Sequence, residues 1–154
     1  FIVIGTGEPN YENLFRYFAG RYPDRCSANI CYNGELAQKL YAGADMMLVP
    51  SRFEPCGLTQ LMALRYGSVP LVRETGGLKD TVQPYNEYEH TGTGFTFGKF
   101  NSNDFLNTVN YAKRIFFEQR GEWDAMVKRG MEMDFSWNSS AKQYEGMYEW
   151  LLGK

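Results

Sequence analysis

Glu54 sits where a carboxylate could do chemistry. In Val49-Pro50-Ser51-Arg52-Phe53-Glu54-Pro55-Cys56-Gly57-Leu58-Thr59-Gln60-Leu61 an apolar run ends, an acidic residue follows, and a helical pattern starts near Gly57. The free N–H groups and positive dipole end of such a helix favour a phosphate, with Gly57 allowing close backbone approach and Thr59 offering a hydroxyl. Just outside that end, Glu54 can accept hydrogen bonds from sugar hydroxyls. The same spacing fits a first-turn acid that only stabilises the helix dipole, by ~0.3–1 kcal/mol. A second loop, Arg73-Glu74-Thr75-Gly76-Gly77-Leu78-Lys79-Asp80-Thr81-Val82, again follows an apolar run and precedes a short helix. Gly76 and Gly77 can expose backbone donors there, and the loop also reads as a tight turn in which Asp80 or Thr81 caps a helix. Arg52, Arg73 and Lys79 are the cations close to these turns, each able to clamp a phosphate or to be solvated or salt-bridged. Gly5-Thr6-Gly7 lacks the third glycine of a dinucleotide fingerprint, because position 10 is Asn10, so a structural turn is expected there and NAD binding is disfavoured.

The elements that position these loops alternate. Short apolar runs at Phe1 to Ile4, Ser27 to Cys31, Met46 to Val49, Val69 to Val72 and Phe95 to Phe97 read as buried strands. Between them, Leu14, Phe15 and Phe18, then Leu36 and Leu40, then Leu58, Leu61, Met62 and Leu64 have helical spacing. Strand and helix in alternation predict one parallel sheet with helices on both faces, and ligands beyond the carboxyl ends of the strands. After Phe97 three helical stretches follow. The first carries Phe105, Val109, Ala112 and Phe116 on one face, and the last carries Trp137, Ala141, Tyr144, Tyr148 and Leu151, with Ser136 as its N-cap. The expected division is residues 1–100 for the α/β part and 101–154 for a helical C-terminal tail, whose aromatic stripe is either core or a face without its partner surface.

At 154 residues and 44% hydrophobic content, the chain suits one unit with a real core. Sixteen Lys and Arg against 18 Asp and Glu give a charge of -2 with no basic stripe, which disfavours nucleic acid. No apolar run approaches a bilayer span, so no membrane association is expected. Three cysteines without a Cys-x-x-Cys pair, and a single histidine, make a zinc site improbable and point to a reducing compartment, the cytoplasm or a plastid stroma. Opening on a strand without Met suggests a fragment of something longer.

Ser51-Arg52-Phe53-Glu54-Pro55-Cys56-Gly57-Leu58-Thr59-Gln60 together with Thr75-Gly76-Gly77-Leu78-Lys79-Asp80-Thr81-Val82 resembles the bacterial glycogen synthases and plant starch synthases. The likeness extends to Gly5-Thr6-Gly7, Tyr41-Ala42-Gly43-Ala44-Asp45, Thr93-Gly94-Phe95 and Phe135-Ser136-Trp137. It implies most of the C-terminal, Rossmann-like domain of a two-domain GT-B glycosyltransferase. It further implies transfer of glucose from ADP-glucose, with retention, to the non-reducing end of an α-1,4-glucan. Glu54 resembles the acid that holds the donor glucose by its hydroxyls, Cys56, Gly57 and Leu58 the backbone contacts beside it, and Thr59 the diphosphate contact. Tyr32 resembles the aromatic that stacks on the base, although its position also fits core packing. Gly76 and Gly77 fall in the second motif loop. No cofactor beyond the nucleotide-sugar substrate and no metal is implied. Related transferases often carry a second glutamate where this chain has Met62, as suits the glycogen and starch synthase branch. The family's Lys-Thr-Gly-Gly-Leu loop and the Arg and Lys that neutralise the diphosphate lie in portions absent from this chain, among them an N-terminal domain, so no turnover is expected from these residues alone. The alternatives are part of another retaining nucleotide-sugar glycosyltransferase or of a sugar epimerase, or a binding module without chemistry.

Overall fold

The computed structural model describes residues 1–153. In chain order its elements are β1 (Ile2–Ile4), α1 (Pro9–Arg21), β2 (Ser27–Asn29), α2 (Gly34–Gly43), β3 (Met46–Val49), α3 (Thr59–Tyr66), β4 (Val69–Arg73), α4 (Gly77–Thr81), β5 (Phe95–Phe97), α5 (Ser102–Glu118), α6 (Arg120–Glu132) and α7 (Trp137–Leu151). The chain divides into two compact units, Phe1–Leu40 and Tyr41–Lys154. All strand pairing is parallel within the named strands, as the alternating order predicts, but in two ladders instead of one sheet.

The first unit carries the β1–β2 ladder, with Ile2 opposite Ser27 and Ile4 opposite Asn29. Each strand is only three residues long, and neither they nor α1 bury a side chain, so the expectation of buried strands fails here. Stacked rings, Phe1 on Phe15 and Phe18 on Tyr22, supply local packing in its place.

The second unit is built on β3–β4–β5. Val49 pairs with Val72, and Leu71 with Phe95, so all three strands end on the same edge. Because side chains alternate across a strand, the sheet feeds two cores. Val69, Leu71, Phe95 and Phe97 pack with Ala112 and Ile115 of α5 and Trp123 and Met126 of α6, while Val49 and Val72 pack with Leu78 of α4 and with Val82. Helices therefore cover both faces. The α5 stripe read from the sequence, Phe105, Val109, Ala112 and Phe116, lies in the first of these cores.

The stripe expected on α3 is corrected. Gln60, Ala63 and Leu64 are its buried residues, whereas Leu58 and Met62 are exposed. The helix also starts at Thr59, two residues later than expected. Ser136 caps α7, accepting from the Ser139 N–H at 3.2 Å. The aromatic stripe of α7 is exposed, Trp137 at 89%, Tyr144 at 60% and Tyr148 at 57%.

Tyr85 gives the second unit a pH signature. It is only 8% exposed, its ring lies against Phe95 and Tyr111, and its hydroxyl donates to Glu122 Oε2 at 3.2 Å. Burial first, and then the Glu122 carboxylate, push the phenol from 10.0 up to about 12. A raised folded value means that the contribution to stability is whole below pH 10 and is lost as pH rises through 12. Ultraviolet titration is expected to show one tyrosine ionising near 12 in the folded protein, and denaturant midpoints to fall between pH 10 and 12 less steeply in Tyr85→Phe. An unchanged slope in that variant rules the account out.

Candidate functional site

Parallel pairing decides what meets at the sheet edge. β3 ends at Val49 and β4 at Arg73, neighbouring strands running the same way, so the two motif loops leave the sheet side by side. Arg73 ties that edge together. Its Nε donates to the Ser51 carbonyl at 2.8 Å, its Nη2 to the Arg52 carbonyl and its Nη1 to the Gly98 carbonyl at 3.5 Å, with the guanidinium over the Phe100 ring. Arg73 thus uses its donors on backbone, and neither the phosphate-clamp nor the surface-pair expectation describes it.

The loop after β3 holds Glu54 half-buried, with Ser51 Oγ donating to Glu54 Oε2 at 3.3 Å. Glu54 lies five residues ahead of α3, whose N-cap is Leu58. No side chain caps that end, and the first i to i−4 bond of the helix runs from Met62 N–H to the Leu58 carbonyl. The amides of Thr59, Gln60 and Leu61 precede that bond and point off the open end. A partial positive charge on uncapped amides near a carboxylate is an arrangement that can take a phosphate and a polyhydroxylated group together. Cys56 and Leu58 are exposed, and Gly57 and Thr59 half-buried. Gly57 has φ 74, where a side chain is strained.

The second loop touches the first backbone to backbone. A Cβ on Gly76 would lie 1.9 Å from the Glu54 carbonyl oxygen, and one on Gly77 2.1 Å from that of Cys56. Gly77 N–H donates to the Pro55 carbonyl at 3.3 Å. This pair of glycines therefore lets the loops lie in contact, and the Gly77 donor is spent internally. Asp80 and Thr81 are not caps, as Gly76 holds the N-cap position of α4 and both residues lie inside the helix. The Thr81 hydroxyl instead donates to the Gly77 carbonyl at 2.5 Å.

Gln60 was missed by sequence reasoning. It is buried, and its Nε2 donates to the Cys56 carbonyl at 3.2 Å, the Gly57 carbonyl at 3.0 Å and Thr81 Oγ1 at 3.1 Å. A polar residue in register with Ala63 and Leu64 was the available signal.

Tyr32 and Gly5-Thr6-Gly7 belong to the first unit and are described there alone. Tyr32 is 97% exposed, which removes the core-packing alternative among the described residues and leaves a bare ring face. The Gly7 N–H is taken by Glu12 Oε1 at 2.9 Å, as befits a structural turn. Cys26, Cys31 and Cys56 are free thiols. Among the described residues no group of three or more His, Cys, Asp or Glu is placed to hold a metal, and no helix is long and apolar enough to cross a membrane.

The chain is 59% identical over 148 residues to a glycogen synthase of Lachnospira eligens and 56% identical over 148 residues to one of Lachnoclostridium phytofermentans, in each case 96% of this chain and 31% of the relative. No family model matches. Among solved structures it is similar to the catalytic domain of starch synthase IV from Arabidopsis thaliana bound to ADP and acarbose, with a TM-score of 0.80, 32% identity, and coverage of 97% of this chain and 31% of that one. The chain is homologous to the glycogen synthases over nearly its whole length, has their α/β, Rossmann-like fold with parallel ladders flanked by helices, and spans about a third of the relatives it matches.

Proposed function

We propose that this chain is the C-terminal, donor-binding part of a retaining glucosyltransferase that moves glucose from ADP-glucose to the non-reducing end of an α-1,4-glucan. The observation that carries the reading is the near-complete alignment, at 59% identity, with a protein named glycogen synthase. The geometry supports it, because an uncapped helix end, a half-buried carboxylate and two interlocked loops stand together at the carboxyl edge of a parallel sheet. The ADP held by the similar starch synthase supports an adenine nucleotide as the donor's leaving group.

In this reading residues 1–100 supply most of the nucleotide-sugar-binding domain and 101–154 the helical tail. Glu54 receives the glucose hydroxyls, the backbone at Cys56, Gly57 and Leu58 lines the same place, and Thr59 meets the diphosphate at the head of α3. Gly76 and Gly77 hold the second loop close to that donor. Tyr32 offers its exposed face to the base. Charge on the departing diphosphate is stabilised by the helix end and by cations that lie outside these residues, and an N-terminal domain forms the opposite wall and supplies the glucan surface. Without that wall the 154 residues bind donor weakly and do not turn over. Three free thiols suit a reducing compartment, the cytoplasm or a plastid.

The test is transfer by the full-length polypeptide that carries this chain, supplied with ADP-glucose or UDP-glucose and a linear α-glucan. Elongation with ADP-glucose, yielding new α-linkages, is expected. Preference for UDP-glucose would correct the donor, and absence of glucan elongation with either donor would end the reading.

A further inference from the structure

Gln60 is wholly buried on α3, at 0% exposure, and its amide reaches the backbone of the donor-lining turn without meeting the Glu54 carboxylate. Its bonds go to backbone and to one hydroxyl. Two N–H groups face three acceptors, the Cys56 and Gly57 carbonyls and Thr81 Oγ1. Turning the amide over would set its oxygen against those two carbonyl oxygens, so the acceptors themselves fix its orientation. Its Oε1 is buried and has no partner in the described structure. An apolar side chain of similar length would spare the orphaned oxygen but would take the donor from the Cys56 and Gly57 carbonyls and from Thr81 Oγ1, so what the amide supplies is the hold on that turn.

The bonds form a closed circuit across the two motif loops. Gln60 donates to Thr81, Thr81 donates to the Gly77 carbonyl, Gly77 N–H donates to the Pro55 carbonyl, and the next residue, Cys56, is held by Gln60 again. The circuit also abuts Glu54. A Cβ on Gly57 would meet Gln60 Oε1 at 2.5 Å and Glu54 Cγ at 3.1 Å, so the amide, the glycine and the carboxylate stem converge on one point.

We propose that Gln60 is a positioning residue for glucosyl transfer, clasping the Cys56–Gly57 turn to Thr81 so that the head of α3 and the Glu54 carboxylate meet the donor in a fixed geometry. The inference rests on the donor-binding reading above. It concerns donor use and leaves the acceptor untouched, because every group in the circuit belongs to the two motif loops and the helices that start from them.

The experiment uses the full-length polypeptide carrying this chain, unsubstituted and as Gln60→Met and Thr81→Val. Gln60→Met keeps length and removes the amide; Thr81→Val keeps shape and opens the circuit at one joint. Steady-state kinetics with ADP-glucose, thermal unfolding and amide hydrogen exchange are read together. Gln60→Met is expected to lose ~10–100-fold in kcat/KM for ADP-glucose and Thr81→Val less, as follows from loosening a site by about an ångström. The glucan KM stays unchanged, and faster exchange is confined to residues 53–61 and 75–82. A donor kcat/KM within about twofold in folded Gln60→Met overturns the inference, as does exchange that quickens throughout the domain. No transfer by the unsubstituted polypeptide overturns the donor-binding reading and the catalytic role with it, whereas unchanged exchange at 53–61 in Gln60→Met overturns the clasp alone.

Discussion

Glu54→Ala is expected to lower glucosyl transfer from ADP-glucose by ~10²–10⁴-fold in the full-length polypeptide. The size follows from chemistry. Hydrogen bonds to a charged acceptor contribute about 1.5–3 kcal/mol each, and two hydroxyls on one carboxylate give about 3–6 kcal/mol. Little of this is bound up with folding: Glu54 is half-buried, and its side chain accepts a long bond, 3.3 Å, from Ser51 Oγ. Unfolding free energy should therefore move by no more than about 1 kcal/mol. Glu54→Gln keeps the volume and one acceptor oxygen, so its loss is smaller, ~10-fold. Measuring kcat/KM for the donor beside the denaturant midpoint separates the two accounts. If Glu54→Ala keeps activity within about threefold, Glu54 is a helix-dipole acid and no more.

Much of the architecture was legible because apolar periodicity reports burial directly. β3 and β5 fall on the runs Met46 to Val49 and Phe95 to Phe97, and the α5 stripe and the Ser136 cap are where their residue types place them. These features depend on one element and its own face. The first unit defeated the same rule. Its β1 is apolar, but β2 is Ser-Ala-Asn, and a three-residue ladder beside a helix with no buried residue buries no side chain.

What the sequence hid were side chains whose partners are backbone atoms of another loop. Arg73 reads as a surface cation until the Ser51 and Arg52 carbonyls come within its reach. Gln60 draws no reading of its own from the sequence, and only the approach of Thr81, 21 residues away, shows why an amide is buried there. Leu58 and Met62 looked like core from their spacing, yet the helix is rotated so that the amide occupies the core-facing side. Periodicity treats polarity as exposure, and a donor that finds three acceptors inverts that rule. The motif itself was visible, but the reason for its glycines was not, because nothing local in Thr75-Gly76-Gly77-Leu78 reveals which backbone will lie against it.

That reason makes Gly76 and Gly77 the positions where the smallest change should do the most harm. Adding one carbon to Gly77 sets it 2.1 Å from the Cys56 carbonyl oxygen, against the 3.4–4 Å of ordinary contact, so the loops must part by more than about 1 Å. Gly76→Ala meets the Glu54 carbonyl oxygen at 1.9 Å and also has φ 46, a conformation that alone costs about 1–3 kcal/mol for a side-chain-bearing residue. Backbone cannot yield as a flexible side chain does. Losses above about 3 kcal/mol are expected for either variant, a large share of the 5–15 kcal/mol that typically holds a domain. Gly121→Ala is the control, since its Cβ meets nothing within 4 Å in α6 and should stabilise by ~0.5–1 kcal/mol. The same methyl group is thus expected to act with opposite sign at positions 77 and 121, and urea unfolding of the three variants reads both signs in one series. If Gly77→Ala unfolds within about 1 kcal/mol of the unsubstituted chain, the loops are not in backbone contact. In that event the circuit through Gly77 that carries the Gln60 clasp loses its anchor as well.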